Sequence, residues 1–207
     1  MVLYVLKIKC ELEGIDKLIP KPGNYWKCNI AGPGGVDGGD FKMGVTLCED
    51  EVVDIAGSRG QAHFACRFPG ADSQGHASIV PIPDPSSKKK NPKFLEAVYK
   101  KENSGEFVSI MCLECRGLEP VGWVPSIDFD VCCSDPNADD SDELNSKVND
   151  KLEVNLSTAT SDGEYDAVND NVTSRSVNRN AVDWCEYDEV FDTSISITNF
   201  EWKLEKQ

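Results

Sequence analysis

The sequence predicts an all-β fold, a single antiparallel β-domain of sandwich or barrel-like form with a disordered acidic insertion. Near the N-terminus apolar and charged residues alternate, which is the period of a strand with one buried face. The run 107–115 is rich in β-branched and apolar residues, which suit a pleated surface. A change of composition after residue 133 predicts the insertion. At 207 residues the chain is long enough for one sizeable hydrophobic core and leaves little length for a second full domain.

The first strand is predicted at residues 6–12. The apolar positions are Leu6, Ile8, Cys10 and Leu12, and the charged positions are Lys7, Lys9, Glu11 and Glu13. Because side chains on a strand point alternately to its two faces, we expect the apolar set to face a core and the charged set to face water. Gly14 and the proline-containing cluster 20–24 then interrupt the chain.

A second strand is predicted at 25–30, and a glycine-rich loop follows at 32–39. A glycine-rich run can cradle phosphate where it joins a strand to the N-terminus of a helix. This loop lacks the Gly-Lys-Ser/Thr ending, carries Asp37, and precedes no helix signal. We therefore favour a flexible loop over a phosphate site.

Further short strands are predicted at 41–48, 51–55 and 78–82, with a turn at 57–60. Arg59 stands between two glycines in that turn. Its fork of donors suits a carboxylate or another anion, but we favour a hairpin whose arginine ties down a neighbouring loop. The lysine run 88–90 is interpreted as a solvated loop, with a nuclear address as the alternative.

The run 107–115 predicts a strand that ends at Gly117 and Pro120, because glycine allows a positive φ and proline cannot donate to a ladder. Cys112 and Cys115 have the C-x-x-C spacing that is typical of metal or redox sites. Residues three apart on a strand point to opposite faces, however, so these two cannot easily share one zinc. We interpret both as structural thiols.

Four stretches spread over most of the chain carry a family resemblance. They are E-L-E-G-I-D-K-L-I-P at 11–20, G-S-R-G-Q-A-H-F at 57–64, C-R-G-L-E-P at 115–120 and D-W-C-E-Y-D-E at 183–189. Together they resemble a eukaryotic family, the CXXC motif containing zinc-binding proteins. The resemblance implies a single antiparallel β-domain that holds one zinc between two C-x-x-C pairs, and it implies no known reaction.

The chain departs from that family at both expected cysteine pairs. Ala31 stands where the family pattern would place a second cysteine after Cys28. The other pair is replaced by C-R-F-P at 66–69, which arrives a residue or two early and contains only Cys66. Cys28 and Cys66 are therefore the predicted metal ligands. Two thiolates hold zinc more weakly than four, so we expect zinc to be bound weakly or substoichiometrically, or not at all.

A rebuilt site is the alternative, because imidazole and thiolate mix readily at tetrahedral zinc. It would combine the two cysteines with His63 or His76, the only histidines of the sequence. No ligand-spacing motif supports this site, and a lone histidine in a loop is more often solvated or hydrogen-bonded.

Residues 134–180 form the predicted insertion. Asp, Asn, Ser and Thr recur there, Tyr165 is the only aromatic, and eleven acidic residues stand against four basic ones. Such a segment cannot bury enough apolar surface to offset its ordering entropy. The β-domain is accordingly assigned to residues 1–133 plus 181–207. Near the C-terminal end of the domain, apolar residues occupy every second position in 194–198 and again in 200–204. The two runs are out of step by one residue, which predicts a β-bulge at Asn199.

The net charge of −15 argues against DNA, RNA and anionic membranes as partners, since each is a polyanion. No stretch approaches the roughly 20 apolar residues that span a bilayer, and the N-terminus lacks the pattern of a secretory signal. We therefore expect the protein in the cytoplasm, with the nucleus as the alternative. Its nine cysteines are then expected to be reduced thiols or metal ligands.

Three functions follow from these observations. The favoured one is a non-enzymatic monomer that binds a protein partner or handles metal. The alternatives are a scaffold that has lost zinc altogether and a thiol-dependent enzyme. Nucleophilic catalysis would need Cys or Ser paired with His and an orienting acid, and neither His63 nor His76 lies in a nucleophile motif. No nucleotide, flavin or haem motif is present.

Overall fold

The computed structural model describes residues 1–33, 35, 40–87, 92–125, 128–133, 153–155, 184–188 and 192–207. Within them the chain is built of strands, with one 3-10 turn at Lys101–Asn103 and no α-helix, which confirms the all-β prediction. The strands are β1 Val2–Glu13, β2 Ile15–Pro20, β3 Trp26–Ala31, β4 Phe41–Leu47, β5 Val53–Asp54, β6 Gln61–Ala62, β7 Phe64–Cys66, β8 Gly75–Val80, β9 Ile82–Pro83, β10 Phe94–Leu95, β11 Tyr99–Lys100, β12 Val108–Arg116, β13 Glu119–Val124, β14 Asp128–Cys133, β15 Glu153–Asn155, β16 Trp184–Asp188 and β17 Thr193–Lys206.

Antiparallel pairing joins the strands into a large sheet and several smaller ones. The large sheet has the order β16–β17–β1–β12–β8–β7. A three-stranded sheet, β13–β3–β4, and a four-stranded sheet, β11–β2–β14–β15, share one apolar core with it. The ribbons β9–β10 and β5–β6 are the remaining pairs. The predicted insertion 134–180 lies outside the described residues except for the backbone of β15.

Strand β1 is the centre of the large sheet, with β12 on one side and β17 on the other. Leu6, Ile8 and Cys10 are 0% exposed and Leu12 is 9% exposed, which confirms the predicted inward face. The ladder with β17 shifts between Lys9 and Glu11 of β1. Asn199 lies in the extra length of β17 at this shift and has a φ of 53°, so the predicted bulge is also confirmed.

The outer face of the same strands carries ion pairs. The Nζ atom of Lys7 lies 2.6 Å from a carboxylate oxygen of Glu205, and that of Lys9 lies 3.3 Å from Glu201. Hydrogen bonds from Lys203 and then Lys7 hold the pKa of the Glu205 carboxyl below its usual range. These side chains are partly exposed, so their pairing stabilises the sheet only modestly.

Aromatic rings join the three-stranded sheet to the large one. The Trp123 ring of β13 lies 6.3 Å from those of Trp26 and Phe200 and 5.9 Å from that of Trp202, measured between centroids. Phe200 and Trp202 belong to β17, so this cluster packs the two sheets face to face. Such ring pairs add to the stabilisation that their buried area already provides.

The ends of β12 confirm one prediction and correct another. Gly117 follows the strand with a φ of +66°, as predicted. A Cβ atom on Gly75 would lie 2.5 Å from the carbonyl oxygen of Gly117, so both glycines allow a close backbone approach. Pro120, predicted to end the chain's extended run, instead pairs with Ile30 inside β13. Since β13 is an edge strand, the missing N–H of proline costs little there.

The C-x-x-C in β12 is divided between two environments, as predicted. Cys112 packs in a small cluster with Val5 and Ile82. Cys115 belongs instead to the main core. The two thiols therefore lie on opposite faces of the large sheet. The described residues contain no helix of the length and hydropathy needed to cross a membrane.

Replacing Ile8 with alanine should lower the free energy of unfolding by about 2–5 kcal/mol, because the side chain is fully buried. Lys7→Ala, one position away on the outer face, should cost no more than about 0.5 kcal/mol. Urea unfolding of both variants measures the difference. Equal losses would contradict the assignment of the two faces of β1.

Candidate metal centre

Cys28, the first predicted ligand, lies in the middle strand of the three-stranded sheet. It pairs with Trp123 of β13 and with Val45 of β4. Its side chain is 0% exposed, and burial raises the pKa of its thiol to about 12. A metal binds the thiolate, so zinc would have to displace a proton that this environment strongly retains.

Cys66, the second predicted ligand, ends β7 at the edge of the large sheet and pairs with Gly75. Burial raises the pKa of its thiol, and the charge of Lys42 opposes this effect. A lysine ammonium that favours the Cys66 thiolate also repels a divalent cation. The two predicted ligands thus belong to different sheets and have different electrostatic surroundings.

Neither histidine completes a rebuilt site. The Nδ1 atom of His63 accepts a hydrogen bond from the Ile79 N–H at 2.8 Å. His76 pairs with Ala65, the neighbour of Cys66 in β7. Because adjacent positions on a strand alternate, the His76 side chain faces away from that of Cys66. Its Nδ1 is buried and has no hydrogen-bond partner in the described part of the chain.

Across the described ranges, which include both cysteines and both histidines, no group of three or more His, Cys, Asp or Glu side chains could hold a metal ion. The rebuilt site is therefore not formed. A structural zinc needs four ligands in tetrahedral arrangement, and the residues present do not supply them.

The two cysteine segments, residues 28–32 and 66–70, share a pattern that the sequence analysis missed. One reads Cys-x-x-Ala-Gly and the other Cys-x-x-Pro-Gly. In each, one residue other than cysteine stands at the second ligand position, directly before a glycine. The two segments thus have the same internal spacing from cysteine to glycine.

The two segments contact each other through an apolar side chain. A Cβ atom on Gly32 would lie 3.2 Å from Cγ of Phe68 and 3.1 Å from Cβ of Asp40. Phe68 is only 3% exposed and belongs to the main core. The Gly32 N–H donates to the Asp40 carbonyl at 2.9 Å, which closes the loop between β3 and β4.

Cys115 is a neighbour of Cys28 that the sequence analysis did not pair with it. Burial, and after it the nearby Cys28 thiol, raise the pKa of Cys115 to about 12. Inward-facing positions of β3 and β12 bring the two together across the core. Their spacing of 87 residues carries no motif, so only the packing of the two sheets reveals the pair.

The family model for the CXXC motif containing zinc binding protein, eukaryotic, matches residues 5–148. The chain belongs to this family. The match covers the stretches from the first strand through C-R-G-L-E-P, together with both cysteine segments. No curated protein matches the sequence.

Two solved structures are similar to the whole chain. One is described as a hypothetical protein from Plasmodium falciparum, with a TM-score of 0.67, 21% identity, and coverage of 99% of this chain and 100% of that one. The other is the crystal structure of C1orf123, with a TM-score of 0.62, 19% identity and 99% coverage of both chains. At these identities the likeness establishes a shared fold.

Proposed function

We propose that this protein is a non-enzymatic member of its family that acts by binding a partner protein, and that it holds zinc weakly or substoichiometrically. The observation that supports the zinc part is that Ala31 and Pro69, and not cysteines, stand at the second ligand positions, while Cys28 is fully buried. A scaffold that has lost zinc altogether is the limiting case of the same proposal.

The thiol chemistry favours this function over a thiol-dependent enzyme. Burial raises the pKa of Cys10, Cys28 and Cys115 to about 12 and that of Cys112 to about 11. A thiol with a pKa near 12 is ionised in only about one molecule in 10⁵ at pH 7, and the thiolate is the nucleophile. All nine cysteines are free thiols, which is consistent with a cytoplasmic or nuclear location.

A cleft of about 360 Å³ supports the partner-binding part of the proposal. It opens beside the part of β8 that β7 does not cover. The last residue of β8 that pairs with β7 is Ala77. Most of its lining is apolar and includes Trp26, Ile82 and Leu95. Phe94 and Leu95 are 57% and 44% exposed, so apolar surface continues out of the cleft. Exposed apolar surface around a cleft is typical of a docking site.

Two polar groups in the cleft indicate the chemistry of the partner. Nδ1 of His63 accepts a hydrogen bond from the Ile79 N–H. The neutral ring therefore carries its proton on Nε2, which can donate a hydrogen bond to a partner. Glu49 is the one charged residue of the lining and is exposed. An extended segment with an apolar side chain beside an arginine or lysine would match this surface, and the net charge of −15 would attract it.

Elemental analysis of the purified full-length chain, after dialysis against a mild chelator, tests the zinc part. We expect well below one zinc per chain, because fewer than four ligands are available. Cys28→Ser should leave that content unchanged. About one tightly held zinc per chain that is lost in Cys28→Ser would contradict the proposal and indicate substitute ligands.

Fluorescence anisotropy with labelled hexapeptides tests the cleft. We expect a peptide of alternating leucine and arginine to bind, and Glu49→Gln to weaken its binding by up to about fivefold, the effect of one exposed ion pair. A peptide with citrulline in place of arginine has no charge to lose, so Glu49→Gln should not alter its binding.

Glu186→Gln is the matched control, because Glu186 is exposed on β16 at the opposite edge of the large sheet. Equal effects of Glu49→Gln and Glu186→Gln would show only a general attraction of the acidic protein for basic peptides. That result would contradict a docking site at this cleft.

A further inference from the structure

The contact between Phe68 and Gly32 joins the two cysteine segments at the place where ligands are missing. Gly32 directly follows Ala31, and Phe68 directly precedes Pro69. Ala31, the last residue of β3, is 0% exposed. A Cβ on Gly32 would lie 3.2 Å from Cγ of Phe68, so a side chain there would require the ring to shift by about a few tenths of an ångström.

A zinc between two C-x-x-C pairs has a mechanical effect, because it joins two separate segments of chain through four short bonds. A buried aromatic ring can join the same segments by packing, without ionised ligands. The surroundings suit a ring, since Cys28 is 0% exposed and Phe68 is 3% exposed, and both belong to the main apolar core. Both arrangements would keep the segments together, and a ring and a metal cannot fill the same space.

We infer that the Phe68 ring has replaced the metal as the link between the two cysteine segments of this chain, and that the segments keep the spacing of a four-thiolate site. The inference rests on the proposed impairment of the zinc site. It adds the residue that took over the role of the metal and the substitutions that would restore zinc binding.

The first test measures the link in the full-length chain by amide hydrogen exchange. Phe68→Ala should speed exchange of the Gly32 amide, which donates to Asp40, by about tenfold more than it speeds exchange of the Cys28 amide. Phe200→Ala is the matched control, a buried phenylalanine packed on Trp123. It should speed the exchange of both amides through global stability alone.

The second test restores the ligands. Ala31→Cys with Pro69→Cys creates two C-x-x-C pairs, and adding Phe68→Ala removes the ring. In competition with a chromophoric chelator, Zn²⁺ should bind the triple variant at least about tenfold more tightly than the double variant. Co²⁺ should give the absorbance of a tetrahedral thiolate site in the triple variant. Serine at positions 31 and 69 in the Phe68→Ala chain is the control and should bind neither ion.

Three results would overturn the inference. They are equal exchange effects of Phe68→Ala and Phe200→Ala, equal zinc affinity of the double and triple variants, and no zinc binding by either. None of these results contradicts the proposed function. That proposal fails on a different result, namely about one tightly held zinc per unaltered chain.

Discussion

The structure depends on one constraint, the alternation of side chains along β1. Its inward residues are buried in the core, while its outward lysines pair with glutamates of β17. Because β1 lies between β12 and β17, a slip of one residue would place the charged face in the core and the apolar face in water. The register of the large sheet therefore follows from this strand, and so does the surface on which the smaller sheets pack.

A single tyrosine extends this constraint to the four-stranded sheet. Tyr99 is 0% exposed, and its hydroxyl oxygen lies 2.7 Å from the Cys10 carbonyl oxygen and 3.1 Å from the Cys10 backbone nitrogen, opposite the bulge of β17. Tyr99 also pairs with Leu18 of β2. It thus satisfies backbone groups of β1 that lie beyond the last pair with β12, and burial raises the pKa of its hydroxyl to about 12.

The sequence predicts the long strands well, because period-two alternation is a local signal. β1, the body of β12 and the bulge at Asn199 follow from that period. β2 was missed, because Gly14 and Pro20 were interpreted as breaks in the chain when they stand just before and at the end of a strand. β13 was missed because edge position, which makes Pro120 acceptable, is a property of the assembled sheet.

The candidate site was predicted only in part. The family resemblance singled out Cys28 and Cys66, but burial, the charge of Lys42 and the neighbouring Cys115 depend on packing between sheets. Phe68 escaped notice because one phenylalanine in a loop has no period and no motif. The repeated spacing before Gly32 and Gly70 was the signal in the sequence that could have directed attention to it.

The proposed loss of zinc has a cost in stability that can be compared with what the Phe68 ring contributes. Structural zinc supplies about 10–16 kcal/mol in small zinc peptides, whereas burying one phenylalanine contributes about 1.5–3 kcal/mol. The Phe68 ring therefore replaces only part of what a zinc would give. The rest would have to come from the extensive core of this 207-residue chain, which a small zinc domain lacks.

Thermal unfolding in the presence and absence of a strong chelator, with the thiols kept reduced, tests the central claim that packing has taken the place of zinc. We predict melting temperatures that agree within about 1 °C, because in the proposed account no metal contributes to the stability of the folded state. A chelator-induced fall of about 10 °C or more, reversed by adding Zn²⁺, would show that a structural zinc holds this fold together and would contradict the account.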